Sequence, residues 1–289
     1  MTSTPLMPIS QTTKCRMIPA SPKQQKEARR AIANLFNESQ NVRVIHYSCE
    51  SFYNRMDAGS PRVTSIAIRK LSDGQTHSFS IHQVAEREGI ILADIEHNAN
   101  RLEKIMLDAF YDFIRTLGDV SFLHWNMRDI NYGFAALEHR HQVLAGNPVI
   151  IRDERKYDLS RLLVNIYGNN YIKHPRLETL LDFNGIGRLQ FLSGKDEAEA
   201  FENHEYVKLH QSTLRKVDVL ANIAERAKRR TLKTDASWWV MHGGSLHAIA
   251  DSVVHNNYVL FLFAISGSGI LTALVRYLIS NFHIPVPHP

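Results

Sequence analysis

Between Tyr258 and Val275 the 289-residue chain has no charged side chain; the segment reads YVLFLFAISGSGILTALV. That absence excludes a surface helix of ordinary amphipathic design, which needs a polar face. Extended back through Asn256 and Asn257, the run reaches the roughly 20 mostly apolar residues that a bilayer core requires. The other reading is a helix buried in a globular core or a dimer interface. Cysteine is scarce: Cys15 and Cys49 have no metal-ligand spacing. This argues against a disulfide framework and suits a reducing cytosol. The first residues are rich in Ser, Thr, Pro and Lys and lack the apolar stretch of a signal peptide. Gly185-Ile186-Gly187 has no Lys-Ser/Thr continuation, so there is no phosphate loop. Gly-x-Ser-x-Gly and His-Glu-x-x-His are missing too, and the fifteen histidines are scattered. Three large enzyme classes are thereby set aside.

Hydrophobic residues make up 44% and charged residues 22% of the chain, ordinary for a folded protein with a real core. The net charge of +5 permits a nucleic acid or a membrane surface as partner. Arg226, Lys228, Arg229, Arg230 and Lys233 form a basic run, followed by Trp238 and Trp239. Basic clusters stay on the cytoplasmic side of a span, and tryptophan favours the interface. The chain is therefore expected to be a single-pass membrane protein with its N-terminal part in the cytoplasm. The basic run suits anionic lipid headgroups or nucleic-acid phosphates, or a solvated helix end. Within the run, Ala264, Ser268 and Thr272 recur every four residues. Small residues at that spacing let helices approach closely in lipid, which predicts a homo-oligomer through the C-terminal helix.

Apolar periodicity predicts an amphipathic helix over Lys23–Asn37 and a longer one over Asn98–Leu117. Val42–Tyr47, Arg62–Lys70 and Thr76–His82 read as strands, the last two joined through Ser72-Asp73-Gly74. Asp119–Trp125 reads as a buried strand, followed by helices over Asn131–Ala145, Tyr157–Tyr167, Arg176–Asp182 and about Glu197–Arg230. Strands, helix, strand, then helices define an α/β layout, in the order of a ribonuclease H-like mixed sheet flanked by helices. The expected organisation is a disordered stretch over 1–22, a folded domain over 23–225, a basic and amphipathic linker over 226–257, a membrane helix over 258–278 and a short tail over 279–289.

The residues Leu123–Asp129 (LHWNMRD) and the following INYGFAALEHR resemble the second motif of DnaQ-like, DEDD-type 3′–5′ exonucleases. That motif has a His-Asn pair at a strand end and an aspartate three residues later. His124, Asn126 and Asp129 match it, with Trp125 inserted. The stretch from Tyr157 to Leu162 is similar to the family's Asp-Thr-Leu-x-Leu segment, and His174–Ile186 to the helix after it. The resemblance covers about Val42 to Ala224.

It implies four carboxylates holding two divalent ions, with Mg²⁺ as cofactor, and a histidine or tyrosine that activates water. Glu50 matches the glutamate of the first motif, but Ser48 stands where the aspartate belongs. Asp218 is the candidate acid of the last motif; Thr213 and Leu214 stand where the histidine or tyrosine belongs, and His210 is eight residues away. The candidate metal ligands are thus Glu50, Asp129 and Asp218. The candidate nucleic-acid contacts are His124, Asn126, Arg229 and Arg230, and the membrane contacts are Trp238, Trp239, Ala264, Ser268 and Thr272. The incomplete set predicts an exonuclease-like domain that binds nucleic acid or a protein partner without cutting it, and needs no cofactor. A sensing domain joined to a terminal membrane helix resembles bacterial anti-phage effectors in architecture. The alternative is an active, membrane-tethered, Mg²⁺-dependent 3′–5′ exonuclease.

Overall fold

The computed structural model describes residues 21–50, 60–129 and 131–236. The expected membrane helix, with Ala264, Ser268 and Thr272, lies outside the described residues, as do Trp238, Trp239 and the first twenty positions. Among the described residues no helix is long and apolar enough to cross a membrane.

The order of elements is α1 (Pro22–Asn37), β1 (Val42–Cys49), β2 (Val63–Lys70), β3 (Thr76–Ser80), α2 (Ile81–Arg87), α3 (Ala99–Thr116), β4 (Ser121–His124), α4 (Phe134–Val143), β5 (Lys156–Asp158), α5 (Leu159–Tyr167), α6 (Arg176–Phe183), α7 (Gly194–Glu202) and α8 (Tyr206–Lys228). The strands form one sheet in the order β3-β2-β1-β4-β5. β1 pairs antiparallel with β2 and parallel with β4; β2 pairs antiparallel with β3, and β4 parallel with β5. A five-stranded mixed sheet with helices on both faces is the arrangement of a ribonuclease H-like fold, as the order of elements predicted.

β1 is central, and its alternation sorts the molecule into two layers. Ile45 and Tyr47 join Ile66, Ile68, Phe122 and the α3 row Leu102, Met106, Phe110 and Ile114 in one apolar cluster. Val44, His46 and Ser48 face the other way, towards α8; their register partners Ala67 and Ser65 lie on that face too. There α1, α5 and α8 pack together, and Ile32, Leu163 and Leu220 are buried. The two faces are therefore different in kind: one is apolar along β1, and the other carries polar side chains there.

The structure corrects three sequence expectations. β5 is a three-residue strand that the helical reading over Tyr157–Tyr167 absorbed; the alternation of so short a strand is invisible in sequence. The helix expected over about Glu197–Arg230 is two helices, broken at His204, whose φ of 56° is incompatible with a continuing right-handed helix. Residues 226–236, expected in a linker, continue the folded unit: Asn184 exchanges hydrogen bonds with the Lys233 main chain, and Asp235 N–H donates to Tyr171 O.

One polar group sits inside the apolar layer. Glu103 of α3 is fully buried. It accepts hydrogen bonds from Val63 N at 2.7 Å and from Arg140 Nε at 2.9 Å, joining β2, α3 and α4. Arg140 also donates to Ser60 O and Asn100 Oδ1. Removing one member of a buried ion pair strands the other. Arg140→Ala is therefore expected to cost about 3–5 kcal/mol, read by urea denaturation, and Arg140→Ala with Glu103→Leu to recover part of that loss.

Candidate functional site

The polar face of β1 meets α7 and α8 at a buried cluster. Glu197 is brought in by α7, whose first turn is fixed by a reciprocal cap between Ser193 and Asp196. Its Oε1 accepts from Ser48 Oγ at 3.1 Å and from Ser212 Oγ at 3.0 Å. Lys216 Nζ lies 2.7 Å from the same oxygen, with only 7% of the lysine side chain exposed. Ser212 and Lys216 are one helical turn apart on α8, so both face Ser48.

His46, two residues before Ser48, shares this face. Burial, and then the positive charge of Lys216, hold its imidazole well below the ordinary histidine range, so it is neutral. Tyr132 closes the site from the far side of the strand, its hydroxyl donating to Tyr47 O at 3.1 Å. Burial pushes the Cys49 thiol far up, so it is no thiolate nucleophile.

The candidate metal ligands do not converge. Glu50 follows β1 and is held at the end of the ladder: its N–H donates to Arg62 O at 2.8 Å, and its Oε2 accepts from Arg62 N at 3.3 Å. Asp129 is exposed and closes a turn onto Asn131 N–H at 2.8 Å. Asp218 pairs with Arg69 Nε at 2.9 Å. Arg69 is the register partner of Val44, six residues before Glu50, so Asp218 is about 20 Å along the strand direction from it. The α8 side chain facing Ser48 is Lys216, and Asp218, two residues on, points elsewhere. Among the described residues no group of three or more His, Cys, Asp or Glu side chains has the geometry of a metal site. Divalent Mg²⁺ needs several oxygen ligands, usually carboxylates and waters. Here one carboxylate is shared with an ammonium, so the residues present do not fit a two-cation centre.

The expected nucleic-acid contacts also separate. His124 ends β4 on the α4 face, its ring edge-on to Phe134 at 5.3 Å. Asn126 has a φ of 56° and is spent on the turn: its N–H donates to Asp158 Oδ1, and its Oδ1 accepts from Arg128 Nη2. Arg229 and Arg230 lie beyond the other end of α8, about 20 Å from Lys216 along the helix axis. Arg229 pairs with Glu225 there, and Lys228 sits over the Phe36 ring. His210 packs against His82 of α2. Thr213 shares a hydrogen bond with Ser65 at 2.7 Å.

Sequence reasoning missed Glu197, Ser212 and the placement of Lys216. One signal was available: Lys216 falls in the buried row of Leu209, Val217 and Leu220, where an unpaired lysine is untenable.

No family model matches the chain, and no curated protein does. Among solved structures it is similar to Pop2p of S. pombe in its Mg²⁺- and Mn²⁺-bound form, at 12% identity and a TM-score of 0.38, covering 73% of this chain and 92% of that one. The strand order, with β1 antiparallel to β2 and parallel to β4, defines an α/β chain with a ribonuclease H-like mixed sheet.

Two buried imidazoles give this domain a pH dependence. Burial lowers both His124 and His210 to about 4, with Asp158 partly offsetting the effect at His124 and His82 adding to it at His210. An unfolded histidine titrates near 6.5. The unfolded chain therefore binds more protons between those values, and stability is lost as pH falls from about 6.5 towards 4. At pH 5 each ring is expected to cost up to about 2 kcal/mol relative to pH 7.5. Thermal melts of the wild type and His210→Gln check this, the variant losing less on acidification.

Proposed function

We propose that this chain is a membrane-anchored protein whose exonuclease-like domain binds nucleic acid, or a protein partner, without cutting it. The C-terminal apolar run is its membrane effector, in an architecture of the anti-phage kind. The observation that carries the non-catalytic reading is the shared Glu197 oxygen. By the resemblance, Ser48 stands where the first motif has its aspartate, and the Lys216 ammonium shares the Glu197 oxygen with it. A fixed positive charge there repels cations and satisfies the carboxylate that would hold them. The Nε2 of the neutral His46 beside it is buried and has no hydrogen-bond partner among the described residues. The membrane part rests on the uncharged run Tyr258–Val275 and the basic residues and tryptophans before it.

Labelled single-stranded DNA and RNA, incubated with the purified full chain and Mg²⁺ or Mn²⁺, are expected to bind without release of mononucleotides. Metal-dependent release that is lost in Asp129→Ala would establish the active exonuclease instead. Ser48→Asp with Lys216→Asp is expected to gain Mn²⁺ binding that the wild type lacks, read by electron paramagnetic resonance. The full chain is expected in the membrane fraction and a chain stopped before His255 in the soluble one. Ser268→Leu is expected to shift the detergent-solubilised oligomer to smaller species; an unchanged oligomer removes the helix-packing idea.

A further inference from the structure

At its β5 edge the sheet carries a cavity of about 510 Å³ between β4, β5, α4 and α5. That volume falls within the range of small-molecule sites. We propose that it binds a mononucleotide, held by its phosphate at Arg161 and the start of α4 and by its base against Leu162 and Ala135. This site is separate from the Glu197 cluster and does not rest on the reading of that cluster.

Charge is the first argument. Arg128, Lys156 and Arg161 line the cavity, against Asp153 and Asp158. The two acids are answered, since Asp158 pairs with Arg128 at 2.6 Å and Asp153 with Lys156 at 2.8 Å. Arg161 has no hydrogen bond or ion pair among the described residues and is exposed. A spare guanidinium beside compensated pairs leaves the cavity positive, and its planar fork suits a phosphate.

Backbone donors are the second. The cavity wall includes Phe134 and Ala135, the first residues of the ten-residue helix α4. Its N-cap is Gly133, which supplies no side-chain cap. Gly133 is required there for space, because a Cβ would lie 2.7 Å from the main chain of Met127. The helix therefore opens onto the cavity with first-turn N–H groups that lack intrahelical acceptors, an arrangement that favours anions. α5 differs, because Asp158 caps it through Ser160 N at 3.0 Å.

The third argument is a buried donor. His124 lines the cavity with 2% of its surface exposed. Its Nδ1 accepts from Met127 N at 3.2 Å, which assigns the proton of the neutral ring to Nε2. Nε2 has no partner among the described residues. A group with both a phosphate and polar heteroaromatic edges uses the free guanidinium, the open helix end and this N–H together, whereas bare phosphate uses only the first two.

Calorimetric titration of the purified full chain with 5′-AMP, adenosine and inorganic phosphate at low salt tests this. 5′-AMP is expected to bind at sub-millimolar concentration, tighter than adenosine or phosphate. Arg161→Ala is expected to weaken it about tenfold or more, since the lost contact is charge-assisted. Ala135→Trp, at an exposed position, is expected to block binding with the melting temperature unchanged. Three results overturn the proposal: no binding of 5′-AMP at millimolar concentration, equal binding by Arg161→Ala, or equal affinity for inorganic phosphate alone. Binding of 5′-AMP with or without nuclease activity leaves the two proposals separately decided.

Discussion

A carboxylate with no access to water must be surrounded by donors, and Glu103 sets that condition at the centre of this fold. It sits on the core row of α3 among leucine, methionine and phenylalanine side chains. Its donors come from the first residue of β2 and from α4, elements far apart in sequence. The chain therefore reaches a low-energy state only when the hairpin side of the sheet, the crossover helix α3 and the helix after β4 are in place together. A wholly apolar layer tolerates small shifts, but a bonded carboxylate fixes one arrangement. That register also holds β1 in the middle, with Ser48 and His46 turned towards α8.

The polar face obeys the same electrostatic logic with a different result. Lys216 is taken out of water and answered by Glu197, and the remaining lone pairs of that oxygen are answered by the hydroxyls of Ser48 and Ser212. The four residues come from β1, α7 and two successive turns of α8, so the cluster fastens the last two helices to the central strand. The cluster is made entirely of covalently attached groups that stay put. At the β5 edge the balance is reversed: charges are compensated in pairs at the rim of the cavity, and one arginine is left over.

The layers and the sheet order were legible because the strands are long or strongly β-branched and α3 has an unbroken apolar period. β5 was not, since three residues carry no period. The α7–α8 break was hidden because Asn203 and His204 are polar residues that a helix tolerates; only the left-handed backbone at His204 interrupts it. The candidate site was legible in its first part, where Ser48 interrupts the acid pattern. It was misplaced in the last helix, because Asp218 looked like the missing acid while its partner Arg69 sits at the other end of the strand. Side-chain type along a helix gives spacing but not rotation against a sheet, and a shift of two residues turns a helix by about 200°. The edge cavity draws on two stretches quoted as motifs, LHWNMRD and Tyr157–Leu162, but their convergence was hidden because its residues come from several elements, with each charge looking like an ordinary surface charge.

The Glu197 cluster also makes its members depend on one another. Lys216→Asp alone would set a new carboxylate against Glu197 in a buried place, where like charges repel strongly. Ser48→Asp alone would supply the ammonium with a second partner and tighten the existing arrangement. A single change at this cluster therefore either sets two buried carboxylates against each other or reinforces the ion pair, so its members can be exchanged only together.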